Sequence, residues 1–458
     1  NPDFSQVEAD AAQLDINTQF ALFYPEKRPF FLEGTDVFDT PFSAVYTRTV
    51  ADPSWGVKLT GKEGKNGIGV FVAEDETTNL LLPFSQFSRQ RTLEEDTLDA
   101  VLRYRRDVGS SSTVGALVTQ REGGDYFNRV AGVDAVYRPT RTDRINVHFL
   151  DSQTEYPDAF VTELAEEGVV LPRGTFGGQA WRLSYTHNSR DWQWYGRADE
   201  VDRGFRADLG FMPRVGYEVK LAGLERRFWG KEGTWYTQIN LGGDWDETQD
   251  VDGQLLEEEL EMWLDITGPL QSFYSFNTGQ RDQFWNGRLF HQRYTNLGFS
   301  IRPTGKVYFS LNGTIGDAID FDHTRAGEEL RLDPQVELIL GQHLRLELAH
   351  TYQELEVAGG TLFEANLTQL ETVYQINVRT FVRAIFQYTD IQNDQDLYAF
   401  EVDEQQEDLF TQLLFSYKLN PQTVLFLGYS DTSLGTQDLR LTRQDRTLFF
   451  KVGYALVL

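Results

Sequence analysis

Residues 343–351 read HLRLELAHT, and that string decides the fold class. Leu344, Leu346 and Leu348 fall on one face of an extended chain, and Arg345 and Glu347 fall on the other, because successive strand side chains point in opposite directions. The same period of two recurs at 296–302, where Leu297, Phe299 and Ile301 oppose Asn296, Ser300 and Arg302, and at 306–312, where Val307, Phe309 and Leu311 oppose Tyr308, Ser310 and Asn312. Further copies are Trp181, Leu183 and Tyr185 against Arg182 and Ser184, Leu260, Met262, Leu264 and Ile266 against Glu261 and Asp265, and Val382, Ala384, Phe386 and Tyr388 against Arg383 and Gln387. A soluble sandwich alternates too, so the connections must decide.

Short polar turns (61–66, 107–111, 140–143, 188–191, 230–233, 267–269, 303–305, 341–342 and 419–421) alternate with longer acidic stretches (74–95, 152–178, 246–255, 280–291, 315–331, 353–364, 390–406 and 431–444). Short turns on one rim and long loops on the other are the plan of an outer-membrane barrel. The expectation is an all-β protein: a transmembrane, antiparallel, up-and-down β-barrel of about 22 strands (20 to 24), starting near residues 43–50 and occupying 43–458. Closure follows from the solvent, since lipid offers no partner to an unpaired strand edge. The predicted location is the bacterial outer membrane, with lipid and lipopolysaccharide as surroundings.

Composition agrees. The 458 residues include 33 Phe, 20 Tyr and 9 Trp, but 2 Met and no Cys. Aromatic enrichment suits strands, and the absence of Cys removes disulfides, thiolate metal sites and Cys nucleophiles from consideration. With 70 acids against 42 bases and a formal charge of -28, a nucleic-acid partner is not expected. The first residues, NPDFS, carry neither a basic nor an apolar leader region, so the chain reads as a processed or truncated product.

The terminal stretch 447–458, TLFFKVGYALVL, alternates to the last residue. Lys451, Gly453, Leu456 and Leu458 resemble the C-terminal signal read by the barrel assembly machinery, with Leu at two positions where aromatics are usual. Residues 1–42 do not alternate. They hold the aromatic-flanked string Pro25-Glu26-Lys27-Arg28-Pro29, whose two prolines break regular structure. Two readings stay open: a plug that carries Glu26, Lys27 and Arg28 folded into the barrel, with Arg28 and Lys27 pairing lumen acids, or a periplasmic linker docked on the rim.

The stretches FSQVEAD (4–10), FYPEKRPFFLEG (23–34), GVKLTGK (56–62) and DLGFMPR (208–214) are similar to the barrel portion of a family of bacterial outer-membrane proteins of unknown function. In that family the barrel usually follows a domain similar to family-nine carbohydrate-binding modules. The resemblance implies such a domain, or a partner subunit, as a companion of the barrel, and saccharide-like solutes as its cargo.

No catalytic or cofactor motif is found: there is no Gly-rich phosphate loop and no nucleophile elbow, and the six His lie at no metal-ligand spacing. The protein is not expected to be an enzyme. The loop carrying Asp244, Asp246, Asp250 and Asp252 clusters oxygen ligands of the kind calcium uses, without the Gly and Glu of an EF-hand loop. Alternation assigns Arg103, Arg105, Arg182, Arg197, Arg345 and Arg383 to the lumen, along with Glu261, Asp265, Glu347 and Glu371. They make either opposed charged rings across a pore or a salt-bridge lattice that fills it. The expected function is a channel or transport pore; the alternative is a membrane anchor whose acidic outer loops, or a partner chain, carry recognition.

Overall fold

The computed structural model describes residues 12–420 and 423–453. It contains 23 strands and very little helix. In chain order they are β1 (Pro53–Glu63), β2 (Asn66–Asp75), β3 (Thr78–Pro83), β4 (Ser88–Leu93), β5 (Thr97–Val108), β6 (Ser112–Gly123), β7 (Tyr126–Tyr137), β8 (Asp143–Glu155), β9 (Phe176–Asn188), β10 (Trp192–Val201), β11 (Tyr217–Trp229) and β12 (Gln238–Asp250). There follow β13 (Leu255–Thr267), β14 (Phe273–Trp285), β15 (Arg288–Thr304), β16 (Val307–Asp320), β17 (Arg325–Leu340), β18 (Leu344–Val357), β19 (Gly360–Asn377), β20 (Thr380–Asn393), β21 (Gln405–Asn420), β22 (Thr423–Thr436) and β23 (Thr442–Gly453). Each strand pairs antiparallel with the next in one 21-stranded sheet, while β3 and β4 form a separate hairpin inserted between β2 and β5.

Residues 43–50, expected to be the first strand, lie in coil and a 3-10 turn (Thr47–Thr49) instead, so the barrel wall begins at Pro53. Their hydrogen bonds go elsewhere: Tyr46 N donates to the Leu209 carbonyl and Phe211 N to that of Ser43. With 21 strands, β1 and β23 run toward the same rim, and no pairing between them occurs among the described residues.

The sheet wraps around residues 12–52. Leu14 packs with Leu355, Val357 and Phe363 of β18 and β19, and Asn17 exchanges hydrogen bonds with Ile319 and Phe321 at the end of β16. Further along the same segment, Phe31 and Phe38 meet Phe71 of β2. One segment thus touches walls that are many strands apart along the ladder.

The outward faces carry Leu59, Ile68, Leu102, Val133, Leu183, Leu241, Met262, Leu297, Leu348 and Phe386, all exposed. Among the described residues no helix is long and apolar enough to cross a membrane. Trp192, Trp194, Phe228, Tyr274, Tyr374 and Tyr417 gather outward toward the short-turn rim. Near the opposite rim, the indole N–H groups of Trp181 and Trp245 donate to Glu200 (2.8 Å) and Glu258 (3.0 Å). An apolar band between two aromatic girdles is the signature of a lipid-embedded barrel. The protein is therefore an integral outer-membrane β-barrel, with its short turns on the periplasmic side.

The long-loop expectation is met only in part. Residues 280–291, 315–331 and 353–364 are strand ends joined by tight turns, because pairing continues beyond the membrane, where both faces are polar and alternation is lost. The stretches 74–95 and 152–178 are folded, as the β3–β4 hairpin and helix α1 (Asp158–Glu166). Leu80, Leu82, Leu93, Tyr126, Tyr156, Phe160 and Leu164 form a small core between them, capping the outer mouth.

Candidate functional site

The inward faces of β2 and β5 to β10 are not uniformly polar. Phe71, Ala73, Val101, Leu117, Val130, Leu150, Ala180 and Val201 point inward and are buried against Phe31, Phe38, Phe42, Ala44 and Val50 of the N-terminal segment and Phe205 to Val215 of an outer loop. This is a dry core inside the barrel, each large side chain contributing roughly 1.5–3 kcal/mol. Gly69 on β2 makes room for it: a Cβ there would sit 2.8 Å from Val37 and 2.9 Å from the Phe38 ring.

Wall arginines hold the backbone of the segment. Arg103 Nε donates to the Val37 carbonyl (3.3 Å) while both its Nη atoms engage Asp134. Arg182 Nη1 donates to the Pro41 carbonyl (2.6 Å), pairs with Asp199 (2.7 Å) and lies over the Phe42 ring (4.4 Å). Lys58 Nζ donates to the carbonyls of Phe30 and Phe31. Higher up, Arg121 reaches Asp75 (2.9 Å), Asp99 (3.2 Å) and the Thr49 carbonyl (3.2 Å), and Asp75 accepts from the backbone N–H groups of Ala51 and Asp52.

The Pro-Glu-Lys-Arg-Pro segment lies beside these contacts, and its own charges pair within the segment. Arg28 does not pair with wall acids; it bonds Glu26 (2.8 Å) and the carbonyls of Thr47 and Val50 (2.6 Å each), stapling the segment to itself. Lys27 donates its backbone N–H to the same Glu26 carboxylate (3.0 Å). Two residues of separation let Arg28 fold back onto Glu26 before any wall acid can compete. Burial pushes the Glu26 carboxyl up, but the Arg28 and Thr47 contacts outweigh it and hold it below the usual carboxylate range. Its stabilisation is present above the unfolded value of about 4 and is lost as pH falls through the lower folded value. Acidification is thus expected to loosen the segment, read as faster amide hydrogen exchange over residues 26–50 after correction for the intrinsic pH dependence of exchange. Glu26→Gln should remove that pH dependence, and an identical profile in the two proteins would defeat the assignment.

The other expected lumen charges face inward but pair along neighbouring strands. Arg345 meets Glu337 (3.3 Å), Glu347 (2.5 Å) and Glu371 (3.7 Å); Arg197 meets Asp199 (3.3 Å); Arg383 donates to Gln412 (3.1 Å). Glu261 accepts from Asn277 (2.9 Å) and Tyr294 (3.0 Å), and Asp265 accepts from Ser275 (2.7 Å). Arg105 shares the inward face of β5 with Arg103. The result is a lattice rather than opposed rings. Trp263 and Tyr308, inward-facing aromatics, are engaged by Glu225 (3.2 Å) and by Arg302 stacked at 4.8 Å.

The four acids of the calcium expectation are not brought together. Asp244 accepts from Tyr195 (2.8 Å), and Asp250 and Asp252 are taken by Arg203; among the described residues no three carboxylates or imidazoles converge on a point. The strand runs through Asp250, so Asp244 and Asp246 are strung out along β12 instead of curling round an ion. Of the assembly signal, Lys451 and Gly453 lie in β23; Leu456 and Leu458 fall outside the described residues, as does the 4–10 stretch.

In the outer cap, Tyr126 and Tyr156 stack at 5.8 Å and both donate to Asp208, at 2.8 and 3.2 Å. Burial raises the Asp208 carboxyl above its ordinary value, and the tyrosine hydroxyls only partly offset it. Asp208 stands in the sequence only within the DLGFMPR resemblance, and Tyr126, Tyr156 and the inner-face apolar core carry no motif. The signal was there in runs apolar on both faces, such as VFVA (70–73) and ALV (116–118).

On the opposite side of the lumen, Asn17, Gln19 and Phe20 border a polar cavity of about 430 Å³ against β13 to β18, with Glu257, Arg281, Gln283, Tyr294, Asn296 and Gln353 on its walls. The segment meets this side through the Gln19–Gln283 hydrogen bond (3.0 Å), the Asn17 bonds to the end of β16 and the Leu14 cluster on β18 and β19.

A family model described as a domain of unknown function, DUF5916, matches residues 1–81. No curated protein matches the chain. Among solved structures, a mutant of the ferric enterobactin receptor of Pseudomonas aeruginosa is 9% identical, with 80% of this chain and 75% of that one covered and a TM-score of 0.44. A loop-deletion form of OmpT, an outer membrane protein of Vibrio cholerae, is 11% identical over 74% of this chain and 92% of that one, at a TM-score of 0.31. The ferric-catecholate import receptor Fiu of Escherichia coli is 10% identical over 82% and 66%, at 0.39.

Proposed function

We propose that this barrel is a transport conduit for small polar solutes, narrowed by its own N-terminal segment. The observation that carries the reading is the asymmetry of the lumen: residues 28–50 are cemented by an apolar core to β2 and β5 to β10, whereas a polar cavity remains beside β13 to β18. A solute of saccharide size meets amide, hydroxyl and carboxylate groups there, the equipment for replacing water around a polar molecule. The -28 formal charge favours cations over anions in the conduit.

The test is current through the intact chain in planar bilayers, together with swelling of liposomes in isosmotic sugar. Small cation-preferring steps and measurable sugar entry are expected. Silence in both assays would sink the conduit and favour the anchor reading, which the folded outer cap supports, because a hairpin and a helix with their own core exceed what a pore mouth requires.

A further inference from the structure

At the outer mouth a cleft of about 850 Å³ lies between the tip of the β3–β4 hairpin, the loop after β10 and the tight turn after β14. Its walls are built, not incidental. Phe84 and Phe87 stack at 4.6 Å across the hairpin tip, closed by the Phe84 N to Phe87 carbonyl bond (2.9 Å). Trp285 and Phe321 meet edge to face at 5.1 Å, and the Trp285 indole donates to the Phe321 carbonyl (2.8 Å). The Gln86 side chain accepts from Asn286 N (2.9 Å), joining the hairpin tip to the turn.

The cleft gathers cationic side chains, most of them held by carboxylates outside it. Three arginines, Arg89, Arg203 and Arg206, line it with Asp322, in a protein of net charge -28. Arg203 is engaged by Asp250 and Asp252, and Arg89 approaches Glu167 at 3.6 Å. Arg206 differs: it is 3% exposed, its Nη1 donates to the carbonyls of Arg203 and Phe205, its guanidinium lies over the Phe176 ring (5.6 Å) within the field of Asp208, and its buried Nε has no hydrogen-bond partner. A buried guanidinium with an unmet donor is costly, and an anion is the partner that satisfies it best.

We propose that this cleft is a binding site for a small organic anion carrying a flat ring, the ring lying on the aromatic walls and the anionic group turned to Arg206, with Arg89 beside it. Stacking on aromatic faces and a charge-assisted hydrogen bond are complementary requirements, so neither a neutral ring nor a bare anion meets both. The site holds whether or not the barrel conducts.

The experiment is calorimetry on the whole chain in nanodiscs with 2-naphthoate, its neutral counterpart 2-naphthalenemethanol, and inorganic phosphate. Naphthoate is expected to bind at least about tenfold more tightly than the alcohol and than phosphate, in line with a charge-assisted contact. Arg206→Gln and Phe87→Ala should each weaken naphthoate, with heat-modifiable migration as the check on folding. Should Arg206→Gln fail to fold, Arg89→Gln replaces it and should weaken naphthoate but not the alcohol. Equal affinity for naphthoate and the alcohol, phosphate binding as tight as naphthoate, or unchanged affinity in the folded variants would overturn the proposal.

Discussion

Deleting residues 1–40 is expected to raise single-channel conductance severalfold over the intact chain, because a barrel of this strand number encloses far more space than its wall side chains fill. The deletion removes Arg28, Phe31 and Phe38 and frees the inward surface of β2 and β5 to β7. It leaves residues 41–52 tied by Arg182 to the Pro41 carbonyl and by Arg121 to that of Thr49, so the opening is partial. Phe71, Val101, Leu117 and Val130 then face water, at a cost of roughly 1.5–3 kcal/mol each. A Val101→Cys reporter separates the outcomes. It should resist maleimide in the intact protein, where Val101 is 1% exposed, and react in the deletion. If the cysteine reacts and the conductance does not change, the segment is not the constriction.

Arg121→Leu should destabilise the barrel by about 3–5 kcal/mol, the usual consequence of removing one partner from a buried ion pair. Arg121, Asp75 and Asp99 are all 0% exposed, so without the guanidinium two carboxylates face each other in a dry site. The same change deletes the bond to the Thr49 carbonyl and with it an anchor of the plug. A lower urea midpoint by heat-modifiable gel migration is expected, along with faster labelling at Val101→Cys. Adding Asp99→Asn should recover part of the loss, since it removes one stranded charge while Asp75 keeps its bonds from Ala51 and Asp52. An unchanged midpoint in Arg121→Leu would show that the cluster does not hold the folded state together.

These effects reveal how far local patterning reaches. The outward face was legible from a period of two: Leu344, Leu346 and Leu348, or Leu260, Met262 and Leu264, need only lipid outside to explain them. The same alternation placed Arg103, Arg182 and Arg345 inward. It could not name their partners, because Asp134 is one strand beyond the neighbour of Arg103, and the Pro41 carbonyl is 141 residues from Arg182. Residues 43–50 look like a strand by composition yet are not one, since Tyr46 and Ser43 find partners in the outer loop at Leu209 and Phe211.

Sequence alone therefore determined that the chain forms a membrane barrel, for lipid imposes one demand on every outward position and that demand is written residue by residue. Only the tertiary structure decided what occupies the barrel. The inward faces answer to whatever lies opposite them across the lumen, and there Phe31, Phe38 and Phe42, distant in the chain, turned the inner face of seven of the 21 strands from an expected polar interior into a dry core.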